Sequence, residues 1–123
     1  RARDRAGARG RGEEAMKVKV GTDLVLISRI ALLSDAAKSK VFHPNELSQA
    51  TDQHLAGVFA VKESCKKIFG PQLPWKSVEV KKTPAGAPRV VLSSVFQRRI
   101  QTITASTSHE GGYAIAFVVA VLK

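Results

Sequence analysis

Three short stretches carry side chains able to do chemistry: Gly21-Thr22-Asp23, Phe59-Ala60-Val61-Lys62-Glu63 and Ser106-Thr107-Ser108-His109. Each puts a polar group where the surrounding pattern calls for apolar packing or a strand end, and together they suit one magnesium and phosphate site. Asp23 and Glu63 are hard oxygen donors, which Mg²⁺ accepts when water and phosphate oxygens fill its other positions. The same residues have plainer uses: Asp23 could cap a following helix, and Glu63 could pair with Lys66 or Lys67 at the surface. Lys62 falls inside the apolar arc of its helix, so its ammonium must find an anion or lose its proton. A diphosphate would serve; a lysine snorkelling from the helix edge is the alternative.

Other chemistries fit less well. The Ser106–His109 run has no acid at a triad spacing, and His43, His54, His109 and Cys65 have no zinc spacing. Cys65 lies on the apolar arc of its helix and reads as a buried small hydrophobe rather than a nucleophile.

The elements that must position these groups follow from periodicity. Lys17–Gly21 alternates as a strand, with Asp23 just past its end, and residues 24–37 have helix-like apolar spacing. His43-Pro44-Asn45-Glu46-Leu47 marks a turn into a short helix. A central helix is expected over 52–69, stopped by Gly70-Pro71. Ser77–Lys81 and Arg89–Leu92 read as paired strands across the turn at 83–88, and 94–99 as a helix. A final hairpin joins 103–108 to 113–122 across Glu110-Gly111-Gly112. The expected class is α+β: one small domain, 16–123, with an antiparallel sheet around a long central helix.

Composition narrows the partners. The 123 residues carry a net charge of +10. Residues 1–15, rich in Arg, Gly and Ala, contribute only +2 and read as a disordered leader, linker or added sequence. The body is therefore basic, at +8, and should attract an acidic partner. Its seven aromatics show no basic-aromatic interleaving of the kind that stacks bases, so nucleic acid is disfavoured. The longest apolar run, Tyr113–Leu122, is too short for a spanning helix, and a single cysteine suits a reducing, cytoplasmic setting without membrane contact.

The chain resembles the holo-acyl-carrier-protein synthases, the small class of 4′-phosphopantetheinyl transferases. The resemblance rests on Gly21-Thr22-Asp23-Leu24-Val25 with Arg29-Ile30, Val41–Leu47, and His54-Leu55-Ala56 running into Phe59–Glu63. Val78-Glu79-Val80, Gly86-Ala87-Pro88, and Ser106–Glu110 before Tyr113-Ala114 continue it in the family's order across residues 17–122.

The resemblance implies the 4′-phosphopantetheinyl transferase fold, assembled as a homotrimer with sites between neighbouring subunits. It also implies transfer of the 4′-phosphopantetheine arm of coenzyme A to a serine of an acidic apo-acyl carrier protein, as in fatty acid biosynthesis. Asp23 and Glu63 become Mg²⁺ ligands, and Asp23, Glu63 and Lys62 the catalytic set. Lys62, Lys67, Gly86, Pro88, Ser106, Ser108 and His109 become coenzyme A contacts, and Arg29 the carrier contact. Departures from the family pattern at Leu26, Val58, Gly70-Pro71-Gln72 and Ala87 imply an altered substrate rim. An inactive or structural homologue within a larger synthase and a basic nucleic-acid-binding module are the competing readings.

Overall fold

A computed structural model describes residues 16–48 and 50–123; the leader expected at 1–15 lies outside the described residues. A three-stranded antiparallel sheet has the order β1 (Lys17–Leu26), β5 (Tyr113–Leu122), β4 (Ile100–Glu110). Gly111 and Gly112 turn β4 into β5 at φ of +60° and +83°, values that L side chains adopt rarely.

Strand alternation gives this sheet two different faces. On the inner face, Gly21 and Val25 of β1 align with Ala114, Ala116, Val118 and Ala120 of β5, all buried. Glycine and alanines there leave room for a close helix, and α4 (Asp52–Phe69) fills it. Thr51 caps α4, its hydroxyl accepting from the His54 amide at 3.1 Å, and Gly70 ends it at φ +116°. The central helix thus has the limits its sequence predicts.

The first strand does not stop at Gly21. Residues 22–26 remain paired with β5, from Thr22 opposite Phe117 to Leu26 opposite Tyr113. The helix expected over 24–37 is therefore two short ones, α1 (Ile27–Ala31) and α2 (Asp35–Val41). Cross-strand pairing of Leu24 and Leu26 overrides a local apolar spacing that fits a helix almost as well. A corner at Leu32–Ser34 separates the helices, and Ser34 caps the second by accepting from Ala37 N at 3.1 Å.

Beyond α3 (Pro44–Leu47) and α4, a 3₁₀ turn at Trp75–Ser77 leads into a separate hairpin, β2 (Val78–Lys82) with β3 (Pro88–Leu92). Helix α5 (Ser94–Gln97) is shorter than expected, and β4 longer at both ends. The architecture is α+β, as the sequence predicts.

Candidate active site

Gly21 is where β1 touches α4. A Cβ at this position would collide with the Ser64 carbonyl, so only glycine permits the approach. Two residues on, the same face of β1 carries Asp23, and α4 carries Lys67 above it. The Lys67 ammonium donates to Thr22 O at 2.6 Å and stands 3.5 Å from Asp23 Oδ1. Glu63 lies one turn before Lys67, at the i, i+4 spacing that makes helix neighbours, and is half-buried. Asp23 and Lys67 thus form a polar cluster at the β1–α4 seam, with Glu63 one helical turn before Lys67. Among the described residues no third His, Cys, Asp or Glu completes a metal cage. Two carboxylates alone fit a cation that keeps water and substrate oxygens, as Mg²⁺ does.

Toward the other end of α4 a cleft of about 220 Å³ opens between the helix, β4 and the hairpin. Helix α4 supplies Gln53, His54, Gly57 and Val58; the hairpin supplies Lys81, Lys82, Gly86 and Pro88; β4 supplies Thr107, Ser108 and His109. The lining includes two lysines, two histidines and no acid. Burial, then the charge of Lys82, pushes the His54 pKa below its ordinary value, with Glu46 opposing. His109 Nε2 lies 3.0 Å from the Gln53 amide nitrogen, so with that nitrogen donating the ring proton sits on Nδ1. Such a cleft suits a polyanion with an apolar portion.

The model of the 4′-phosphopantetheinyl transferase superfamily matches residues 19–118. The chain belongs to this superfamily. It is 35% identical to the holo-[acyl-carrier-protein] synthase of Helicobacter pylori over 112 residues, covering 81% of this chain and 94% of that one. A synthase of the same name from Sulfurovum is 36% identical over 110 residues, with 80% and 92% covered. Among solved structures, the H. pylori synthase in complex with coenzyme A superposes with a TM-score of 0.71 at 34% identity, covering 83% of this chain and 99% of that one. The Mycobacterium tuberculosis acyl carrier protein synthase gives 0.62 at 34% identity, with 85% and 95% covered.

Within this transferase fold the expected site residues separate. Gly86, Pro88, Ser108 and His109 meet in the cleft. Asp23 and Lys67 meet at the seam, with Glu63 one turn earlier on α4. Ser106 joins neither: it sits opposite Phe117 on the outer face of the sheet, the face it shares with Ser108, but two residues farther along β4 from the Gly111-Gly112 turn and beyond the cleft lining.

Lys62, expected to meet a diphosphate, does not reach either place. Its side chain is fully buried and bonded to Glu46 at 3.0 Å, Val78 O at 2.6 Å and Trp75 O at 3.2 Å. Burial lowers its pKa and Glu46 opposes the shift. The lysine that faces the polar cluster is Lys67, one turn after Glu63.

Lys66 turns away to cap the loop carbonyls of Pro71 and Leu73. Arg29 is exposed, its guanidinium 5.4 Å from the centre of the Phe59 ring, one turn before Glu63. Cys65 is buried, its thiol pKa pushed up to about 12, as a packed hydrophobe should be.

His54, Gln53, Gly57, Lys81 and Lys82 carry no site assignment from sequence. Two signals point to them: an Lys-Lys pair just before the hairpin turn, and a glycine interrupting the apolar run of α4 three residues after His54.

Proposed function

We propose that this protein is a holo-acyl-carrier-protein synthase, transferring 4′-phosphopantetheine from coenzyme A to a serine of an apo-acyl carrier protein. The observation that carries the reading is the division of labour along α4. Its first turns line a basic, acid-free cleft, and its last turns hold Lys67 against Asp23, with Glu63 one turn before Lys67. A nucleotide diphosphate needs both: a cationic pocket for its phosphates, and a concentration of charge where its phosphorus is attacked.

In the reaction the serine oxygen forms a bond to the phosphorus bearing the pantetheine arm. The bond from that phosphorus to the bridging oxygen breaks, and adenosine 3′,5′-bisphosphate leaves with the electron pair. The serine proton passes to a base; Glu63 is one candidate within the cluster. Lys67 brings positive charge to the same seam, and Lys81, Lys82 and His54 hold the phosphates of the nucleotide half. Mg²⁺ held by Asp23 and Glu63 would supply further positive charge for the diphosphate. Arg29, exposed on α1 beside α4, offers an acidic carrier a guanidinium next to the cluster.

The acting form in this reading is a homotrimer. The outer face of the sheet exposes Val18, Val20, Leu24, Leu26, Tyr113, Ile115 and Phe117, each between 43% and 59% exposed. An apolar face of that extent favours burial against another chain. Ser106 and Ser108 border it, so a neighbouring protomer packed there would come close to the cleft. The setting is the cytoplasm, where a free thiol such as Cys65 stays reduced.

The test is the intact mass of an apo-acyl carrier protein after incubation with this protein, coenzyme A and Mg²⁺. A gain of one phosphopantetheinyl group is expected, lost with Asp23→Ala and with a chelator. No gain on several different carriers, from folded protein, refutes the reading.

A further inference from the structure

Glu46 and Lys62 are the buried charged residues of the described chain, and neither lines the cleft or pairs with Asp23. Taking two charges out of water is unfavourable even when they pair, so their geometry is informative. Glu46 Oε1 accepts from His43 N at 2.7 Å and meets Lys62 Nζ; Oε2 accepts from Val80 N at 2.8 Å. Lys62 in turn donates to the carbonyls of Val78 and Trp75. Two side chains thereby join α3, α4, the 3₁₀ turn and β2.

What they hold lies outside the main sheet. β2 pairs only with β3, and this hairpin shares no ladder with the three-stranded sheet. Val80 is part of the cleft wall, and Lys81 and Lys82 follow it directly. A second recess, about 370 Å³, lies against the same Val80–Lys82 stretch and is lined by Glu46 itself. The cleft wall is thus open on both sides and fastened at Val78 and Val80. Apolar packing of Val78, Val80, Val90 and Leu92 holds the hairpin to the core, but it does not direct a backbone amide at one oxygen.

We infer that Glu46 and Lys62 are positioning residues that fix the Val80–Lys82 wall against coenzyme A. This rests on the reading of the cleft as the coenzyme A site. Lys62 acts through Glu46 and the β2 carbonyls, without contact to the reacting phosphorus. Losing the pair should loosen the two lysines and weaken coenzyme A capture, while Asp23, Glu63 and Lys67 keep their chemistry.

The test compares the full-length wild type with Glu46→Gln and with Glu46→Gln/Lys62→Met. The single variant offers one acceptor oxygen to two N–H donors; the double variant also strands no buried charge. Hydrogen exchange at the Val80 amide, coenzyme A affinity by titration, and KM and kcat are measured on each variant that melts cooperatively. Faster Val80 exchange is expected, with KM for coenzyme A raised about tenfold, the scale of one lost charge-assisted hydrogen bond. Values of kcat and of KM for the carrier should stay within about twofold, since the reacting groups are untouched. Lys82→Met should raise the same KM without changing Val80 exchange. A folded variant with unchanged coenzyme A affinity overturns the inference, as does a parallel fall in kcat and both affinities. A wild type that binds coenzyme A but transfers nothing refutes the proposed reaction alone, and titration still decides the role of the pair. A wild type that binds no coenzyme A overturns both.

Discussion

Lys67 keeps 53% of its side chain in solvent while its ammonium stands beside Asp23; Lys62, five residues earlier, is sealed against Glu46. The two should fail differently. Lys67→Ala is expected to lower transfer about a hundred- to a thousandfold, the range for removing one preorganised donor. Its stability should hold within about 0.5 kcal/mol, because an exposed pair contributes little. Lys62→Met leaves Glu46 buried without its counter-charge and should cost about 3–5 kcal/mol in denaturant unfolding. Equal stability loss in the two would contradict the assignment. His54 adds a pH dependence. In the free protein its pKa lies below the ordinary value, through burial and Lys82. An anion in the cleft offsets Lys82 and raises that pKa, so binding takes up a proton. The His54 contribution is then fully present below the free-state pKa and lost as pH rises through the bound-state one. Coenzyme A affinity of wild type relative to His54→Gln should therefore decline on raising the pH; a rising ratio would refute it.

Between β1 and α4 the limiting contact is Gly21 against the Ser64 carbonyl. Gly21→Ala must push the strand and helix apart, costing about 1–3 kcal/mol as overpacking does. Because Asp23 is two residues along the strand and Glu63 adjoins Ser64, the same displacement should lower transfer more than it lowers the fraction folded. Circular dichroism melts alongside carrier mass measure both. The element limits show where local pattern is decisive. α4 combines a threonine cap, an 18-residue apolar helical pattern and a glycine stop, so its ends are legible in sequence. β1 is not legible in the same way. Leu24, Ile27 and Ile30 have the spacing of one continuous helix, but pairing with a β5 almost 90 residues away keeps Leu24 in the strand and delays the helix to Ile27.

Among the described residues, the seven exposed apolar side chains of the outer sheet face form a patch that a single chain leaves uncovered. Phe117→Lys should disperse the assembly to single protomers in sedimentation velocity and reduce transfer with it, while far-UV dichroism stays unchanged. A monomeric wild type of full activity would refute the trimeric reading.

Residue types and their order determine the family, the α+β class and the limits of α4, because each rests on local pattern and collinear motifs. Tertiary structure decides which lysine stands beside Asp23. Lys62 and Lys67 both lie on α4, and the helical arc correctly marks Lys62 as buried. What the arc cannot show is the partner: Glu46 comes from α3, while Asp23 comes from a strand some 40 residues before Lys67. The basic wall of Lys81 and Lys82 is equally non-local, since its place depends on how the hairpin folds back over α4. A periodicity reports which side of an element is dry; only the packing of distant elements assigns each buried charge its counter-charge.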